Sequence, residues 1–252
     1  MNVYSEILER LKKQKIHMTL IDPARQAPEQ SADIAQEAER AGTDYIMIGG
    51  STEIDRNRMD QTIREIKKKC GRKIIIFPGS SAMISPHADA IYFMSLLNSR
   101  SPEFLFRHQV RAAPHLKKMG IETIPMGYLV FYPGMTVGKV GEADLLDGND
   151  PVPAVSYSLA AEMMGMKLIY LESGSGSPST VSSAVISAVK HETSVPIIVG
   201  GGIRDSETAR EIAESGADII VTGTIVEGCT DIYQRLMPII KAVPSRYTAH
   251  CE

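Results

Sequence analysis

Two glycine-bearing segments carry the sharpest chemical signal in the chain: Val199-Gly200-Gly201-Gly202-Ile203-Arg204 and Val221-Thr222-Gly223-Thr224. Glycine lets a backbone N–H approach a phosphate oxygen closely, and a helix N-terminus behind it adds favourable electrostatics. Either segment alone could be no more than a tight strand-to-helix turn. Together, after successive strands, they read as a phosphate cradle. Upstream, Tyr170-Leu171-Glu172-Ser173-Gly174-Ser175-Gly176 offers hydroxyl and amide donors to a polyol phosphate. Glu172 could accept a hydroxyl proton there, or it could be a solvated loop carboxylate.

Asp22, in Thr19-Leu20-Ile21-Asp22-Pro23, is a candidate ligand for Mg²⁺, a hard cation that takes oxygen donors and fills its shell with water and substrate phosphate. A capping Asp ahead of Pro23 is the alternative. Ser51, in Gly49-Gly50-Ser51, could turn a hydroxyl toward the same ion. Tyr92, Phe93, Met94, Tyr128, Phe131 and Tyr132 gather around two strand ends, as core or as the wall of an apolar groove. The histidines, among them His17, His87, His108 and His115, show no metal-ligand spacing and receive no role.

These residues need a scaffold that brings several strand ends to one rim. Short β-rich apolar runs at 18–21, 45–48, 73–77, 90–94, 122–131, 167–171, 195–199 and 218–222 read as eight buried parallel strands. Helical spacing recurs at 28–41, 58–70, 180–191 and 206–215, with Gly42, Gly71 and Gly216 placed as C-terminal caps. A further helix at 4–13 precedes the first strand, with Ser5 as its cap. An open doubly wound sheet is the rival, but eight βα units favour a single (β/α)₈ TIM barrel, whose sites lie on the rim at the strand C-termini. Only about a dozen residues, Pro86 among them, separate the third strand from the fourth, too few for a regular third helix. That interval is either an opening onto a groove or a short connector without function.

The 252 residues suit one barrel domain spanning 1–252, and a net charge of -3 gives no reason to expect nucleic acid as partner. Cys70, Cys229 and Cys251 match neither a disulfide framework nor a metal motif, which fits a reducing cytoplasm. Neither a signal core nor a run of about 18 apolar residues is present, so peripheral contact is the only membrane association expected.

Taken in order, Leu20-Ile21-Asp22-Pro23, Gly49-Gly50-Ser51, Phe77-Pro78-Gly79, Tyr170 through Gly176, Gly200-Gly201-Gly202-Ile203-Arg204 and Thr222-Gly223-Thr224 resemble the geranylgeranylglyceryl phosphate synthase family through about residue 243. The resemblance implies a TIM-barrel prenyltransferase joining sn-glycerol 1-phosphate to geranylgeranyl diphosphate, the first ether bond of archaeal membrane lipids. Related bacterial members use longer donors. It implies Mg²⁺ at Asp22 and Ser51, and glycerol-phosphate contacts from Tyr170, Leu171, Glu172, Ser173, Gly174, Ser175 and Gly176 together with Gly201, Gly202, Gly223 and Thr224. It further implies that Glu172 orients or deprotonates the attacking hydroxyl, that a missing third helix makes room for the prenyl chain, and that the chain forms a homo-oligomer, dimer or hexamer. Thr224 stands where the family usually has Asn, and Ser173 where it often has Ala; both keep or add hydrogen-bonding capacity. Two readings compete with it: another phosphate-binding barrel synthase or isomerase, which needs no long groove, and a phosphometabolite-binding regulator that turns nothing over.

Overall fold

In the computed structural model, which describes residues 1–50 and 54–243, eight parallel strands close into a barrel in chain order. They are β1 (Ile16–Ile21), β2 (Tyr45–Gly49), β3 (Ile74–Phe77), β4 (Ala90–Leu96), β5 (Glu122–Val130), β6 (Leu168–Glu172), β7 (Ile197–Gly200) and β8 (Ile219–Thr222). Pairing of Ile16 with Ile219 and Met18 with Val221 closes the ring. The strands read as near-continuous apolar runs because both faces are buried. Tyr45 and Met47 point into the barrel, while Ile46 and Ile48 pack outward under the helices.

The helices are α1 (Val3–Leu11), α2 (Pro28–Ala41), α3 (Arg56–Lys69), α4 (His108–Met119), α5 (Met135–Val140), α6 (Pro151–Met163), α7 (Ser183–Glu192), α8 (Ser206–Glu214) and α9 (Ile232–Ala242). Side-chain caps at Asp55, Ser182 and Asp205 start α3, α7 and α8. Gly42 and Gly216 end their helices with φ of 108° and 117°, a region that suits a residue without Cβ. Gly71 does not act as a cap: α3 stops at Cys70 in extended conformation, and Gly71 takes no left-handed angle. Nor does Ser5 cap α1; Asn2 does, its side-chain oxygen accepting from the Ser5 N–H at 2.8 Å.

Two features govern the site. First, α1 lies across the N-terminal end of the barrel, its Val3, Ile7 and Leu11 completing the interior cluster. The Glu122 carboxylate accepts from the Val3 and Tyr4 N–H groups at the start of α1, an acidic partner where the helix dipole is positive. Second, residues 78–89, between β3 and β4, form turns and no helix. Met83 and Ile84 fill in against Met59, Ile63 and Ile66 of α3, so the outer core continues where a helix would have packed. Among the described residues no helix is long and apolar enough to cross a membrane.

Candidate active site

β6 runs one residue past the expected end and takes Glu172 as its last position. Side chains alternate along a strand, so Leu168, Tyr170 and Glu172 all face inward. Glu172 is thus buried in the barrel mouth rather than solvated in a loop. Its Oε1 accepts from the Gly174 N–H at 2.6 Å. Burial pushes its pKa up to about 7, against the opposing effect of the Gly174 N–H and of hydrogen bonds from the Tyr170 and Tyr128 hydroxyls. Burial, together with the carboxylate beside them, raises both phenols well above their usual value and keeps them protonated as donors. A carboxyl that gains and loses a proton near neutrality suits a general base.

Two of the strand-seven glycines serve this carboxylate before any phosphate is considered. A Cβ on Gly200 would stand 2.1 Å from the Tyr170 hydroxyl, and one on Gly201 only 2.4 Å from Glu172 Oε1. Gly201 and Gly202, with φ of 83° and 76°, also turn the backbone along the floor of a cavity. Gly176, Gly223 and Thr224 complete that floor, with Ser175 bonded through its hydroxyl to Thr224 Oγ1 at 2.9 Å. Glycine-rich backbone from three successive loops thus meets in one pocket, the arrangement phosphate-binding barrels use.

Arg204, the cation of the glycine motif, also lines the pocket, its guanidinium donating to the Gly176 and Ser177 carbonyls, both at 2.8 Å. Arg235 of α9 lines the pocket, and among the described residues its guanidinium has no ion pair. Sequence reading missed it because its only signal is the position of α9 in the closed barrel. Leu171 and Ser173, expected among the contacts, do not reach the pocket. Leu171 faces outward into the core beneath α6 and α7. Ser173 is fully buried; its N–H donates to Gly200 O at 3.2 Å, its carbonyl accepts from Gly134 N at 3.1 Å, and its hydroxyl has no partner among the described residues. Gly174 contributes through its N–H to Glu172, not as part of the pocket lining.

A second cavity opens beside β3 and β4, where the helix is missing. It is predominantly apolar and open on one side to solvent. Phe77, Ile84, Tyr92, Phe93, Ala112 and Leu116 line it, and Tyr128 stands at its inner end. Of the aromatic residues expected here, Phe131 is instead in the outer core and Tyr132 is exposed. Phe77, Tyr128 and Tyr170 pack edge-to-face or tilted with centroids 5.2–5.5 Å apart, a wall with one side on the groove and the other on the phosphate pocket. Glu172 receives hydrogen bonds from both tyrosines of that wall.

Asp22 lies just past β1, nearly buried, with Oδ1 accepting from Ala24 N at 2.9 Å and Oδ2 3.5 Å from Arg25 Nε. Burial raises its pKa against those two partners. Gly50, which lines the groove, packs so closely that a Cβ there would meet Asp22 Oδ2 at 2.5 Å. Asp22 therefore caps its own turn and also sets a desolvated carboxylate beside the groove. Among the described residues no cluster of three or more metal-ligating side chains exists. A single carboxylate suits Mg²⁺ when substrate phosphate and water supply the remaining oxygens. Ser51 lies outside the described residues.

His17, given no role from sequence, is buried behind the mouth between Thr43 Oγ1 at 2.9 Å and Thr222 Oγ1 at 3.0 Å. Burial lowers its pKa to about 3, so it is a neutral bridge holding the residue ahead of Gly223.

Residues 9–242 match the PcrB family. The chain belongs to that family. Over 96% of its length it is 59% identical to the geranylgeranylglyceryl phosphate synthase of Picrophilus torridus, all of which is covered. The crystal structure of (S)-3-O-geranylgeranylglyceryl phosphate synthase from Thermoplasma acidophilum, in complex with its substrate sn-glycerol-1-phosphate, superposes with a TM-score of 0.95 at 55% identity, covering 96% of this chain and 98% of that one. The Thermoplasma volcanium enzyme gives 0.94 at 58% identity, with the same coverage. Tryptophan synthase alpha chain from Legionella pneumophila, at 14% identity and a TM-score of 0.62, shares the fold alone.

Proposed function

We propose that this PcrB-family chain is a prenyltransferase that joins sn-glycerol 1-phosphate to geranylgeranyl diphosphate, releasing diphosphate and forming an ether. The observation that carries this reading is the place of Glu172: it lines the phosphate pocket while accepting hydrogen bonds from Tyr128, which lines the apolar groove. A base at the junction of an anion pocket and an apolar groove suits alkylation of a phosphorylated alcohol. The high-identity relatives named above support the same reaction.

The amides of the β6, β7 and β8 loops hold the phosphate, and Arg235 adds a positive charge. Glu172 takes the proton of the free glycerol hydroxyl as its oxygen attacks C1 of the prenyl donor. The C1–O bond breaks, and diphosphate leaves with the electron pair. Holding both reactants across the aromatic wall makes the encounter effectively intramolecular. The prenyl tail lies in the groove, where each buried CH₂ contributes about 0.8 kcal/mol. Asp22 would hold Mg²⁺ beside the donor diphosphate, where the ion supplies Lewis-acid charge to the departing group.

A homo-oligomer belongs to the same proposal. Val152 and Met163 of α6 and the adjoining Met164 are large apolar side chains left exposed, and sedimentation equilibrium tests the assembly. The reaction is tested by incubating the protein with radiolabelled sn-glycerol 1-phosphate, Mg²⁺ and prenyl diphosphates of several lengths. An ether product that is maximal with the twenty-carbon donor is expected. A maximum with a longer donor would change the substrate, and no ether with any donor rejects prenyl transfer. Asp22→Asn should move the metal titration to higher Mg²⁺; an unchanged titration removes Asp22 as ligand.

A further inference from the structure

One wall of the groove has an outer face that prenyl transfer does not use. Residues 103–119 run as a π turn, Glu103–Arg107, into α4. Phe104, His108, Ala112 and Leu116 line the groove. Outside the groove lining, Phe106 and Val110 are 66% and 53% exposed, and their spacing of four places them on one face of the segment.

The charge around that pair is positive on balance. Arg107, Arg111, Lys117 and Lys118 are exposed along the segment; Glu103 pairs with both Arg107 and Arg111, and no other Asp or Glu occurs before Glu122. α3 carries six Lys or Arg against two Asp or Glu. Both helices are tied to the helix-less connector, α3 through Arg64 to His87 and Lys67 to Asp89, the α4 segment through Arg111 to Ser81. Because the chain as a whole has a net charge of -3, this is a local concentration of positive charge around the groove.

An exposed aromatic and aliphatic pair within a basic helical segment is the composition of an interfacial helix, with apolar side chains that enter the headgroup boundary and cations that meet anionic lipid. A second copy docked on the same face would meet like charge, and a purely apolar contact leaves the cations unexplained, whereas an anionic bilayer takes both the apolar pair and the cations. We infer that the outer face of residues 103–119, centred on Phe106 and Val110, docks on an anionic lipid bilayer and holds the groove beside it. The inference rests on the reading of the groove as a prenyl site: a product with a long tail can then pass into a bilayer instead of water.

The test is co-sedimentation of the full chain with phosphatidylglycerol vesicles and, separately, phosphatidylcholine vesicles, at low and high salt. Each cation near an anionic surface strengthens binding about fivefold and is screened by salt, so partition should favour phosphatidylglycerol by at least about tenfold and fall as salt rises. Phe106→Ser with Val110→Ser should lower that partition about tenfold while transfer to a short, water-soluble donor is unchanged. Equal partition onto both vesicles, or a double variant that binds like wild type, overturns the inference. So does a smaller sedimenting species for the double variant without vesicles, which makes the face a contact between copies. Vesicle binding without ether product would reject prenyl transfer and leave the docking face standing; ether product without vesicle binding does the reverse.

Discussion

The phosphate side of the mouth, between β6 and β8, combines glycine backbone, hydroxyls and charged groups, whereas the groove beside β3 and β4 is lined mainly by apolar side chains. On the first side the chain turns back at each strand end, and Gly201, Gly202 and Gly223 let amides face the cavity. On the second, residues 78–89 pass from β3 to β4 without a helix, and the space left over is the binding site. The contrast teaches that the anion site is defined by backbone geometry and the lipid site by missing mass. Changes to the first should act on affinity and chemistry together; changes to the second should act on the length of what binds.

The largest effect is expected where the two sides meet. Glu172→Gln should lower kcat by about 10²–10⁴-fold while leaving glycerol-phosphate binding measurable by calorimetry. In the wild type, kcat/KM should fall as pH drops below about 7, because the carboxyl becomes protonated, and the variant should lose that limb. The same shift has a signed effect on stability. The folded carboxyl holds its proton up to about pH 7 while the unfolded one releases it near its ordinary value of 4.5, so wild-type stability declines as pH rises through that window. Denaturant titrations should show the Gln variant free of this decline, gaining on the order of 1–3 kcal/mol at pH 8. Near-wild-type turnover removes Glu172 as the base.

Gly201→Ala comes next. It places a methyl against Glu172 Oε1 at a φ of 83°, so about 1–3 kcal/mol of stability and about tenfold in KM for glycerol phosphate should be lost. Ala112→Trp should leave that KM alone and fill the groove, cutting kcat/KM for a twenty-carbon donor about 10- to 100-fold while sparing a five-carbon one. Equal losses with both donors would erase the distinction between the two sides. The smallest effect belongs to Arg235→Ala, which should raise KM for glycerol phosphate about three- to tenfold without changing kcat, with Lys restoring part of it. An unchanged KM shows that backbone amides alone hold the phosphate.

Much of the phosphate side was legible because glycines at strand ends are visible in sequence, and the short interval before Ala90 marked the missing helix. The roles of Gly200 and Gly201 beside Tyr170 and Glu172 were not visible, since they depend on the register of β6 against β7. Register also decides that Leu171 turns away from the site. Helix α4 escaped notice because a π turn shifts its phase and Pro114 interrupts its pattern, and α9 contains Pro238. Helix α6 has small or apolar residues on most of its circumference and so offers no clear stripe. Arg235 had no signal in the sequence, because a cation far away along the chain reaches the pocket only through the placement of α9, where it joins Arg204 in the lining.

The helix that closes the barrel floor gives the molecule a division of labour that an engineer can use. Val3, Ile7 and Leu11 seal the end opposite the mouth, and Glu122 fastens the seal to β5. Thermal robustness can therefore be adjusted at one pole of the barrel while donor preference is evolved at the other, and substitutions combined from the two poles should add.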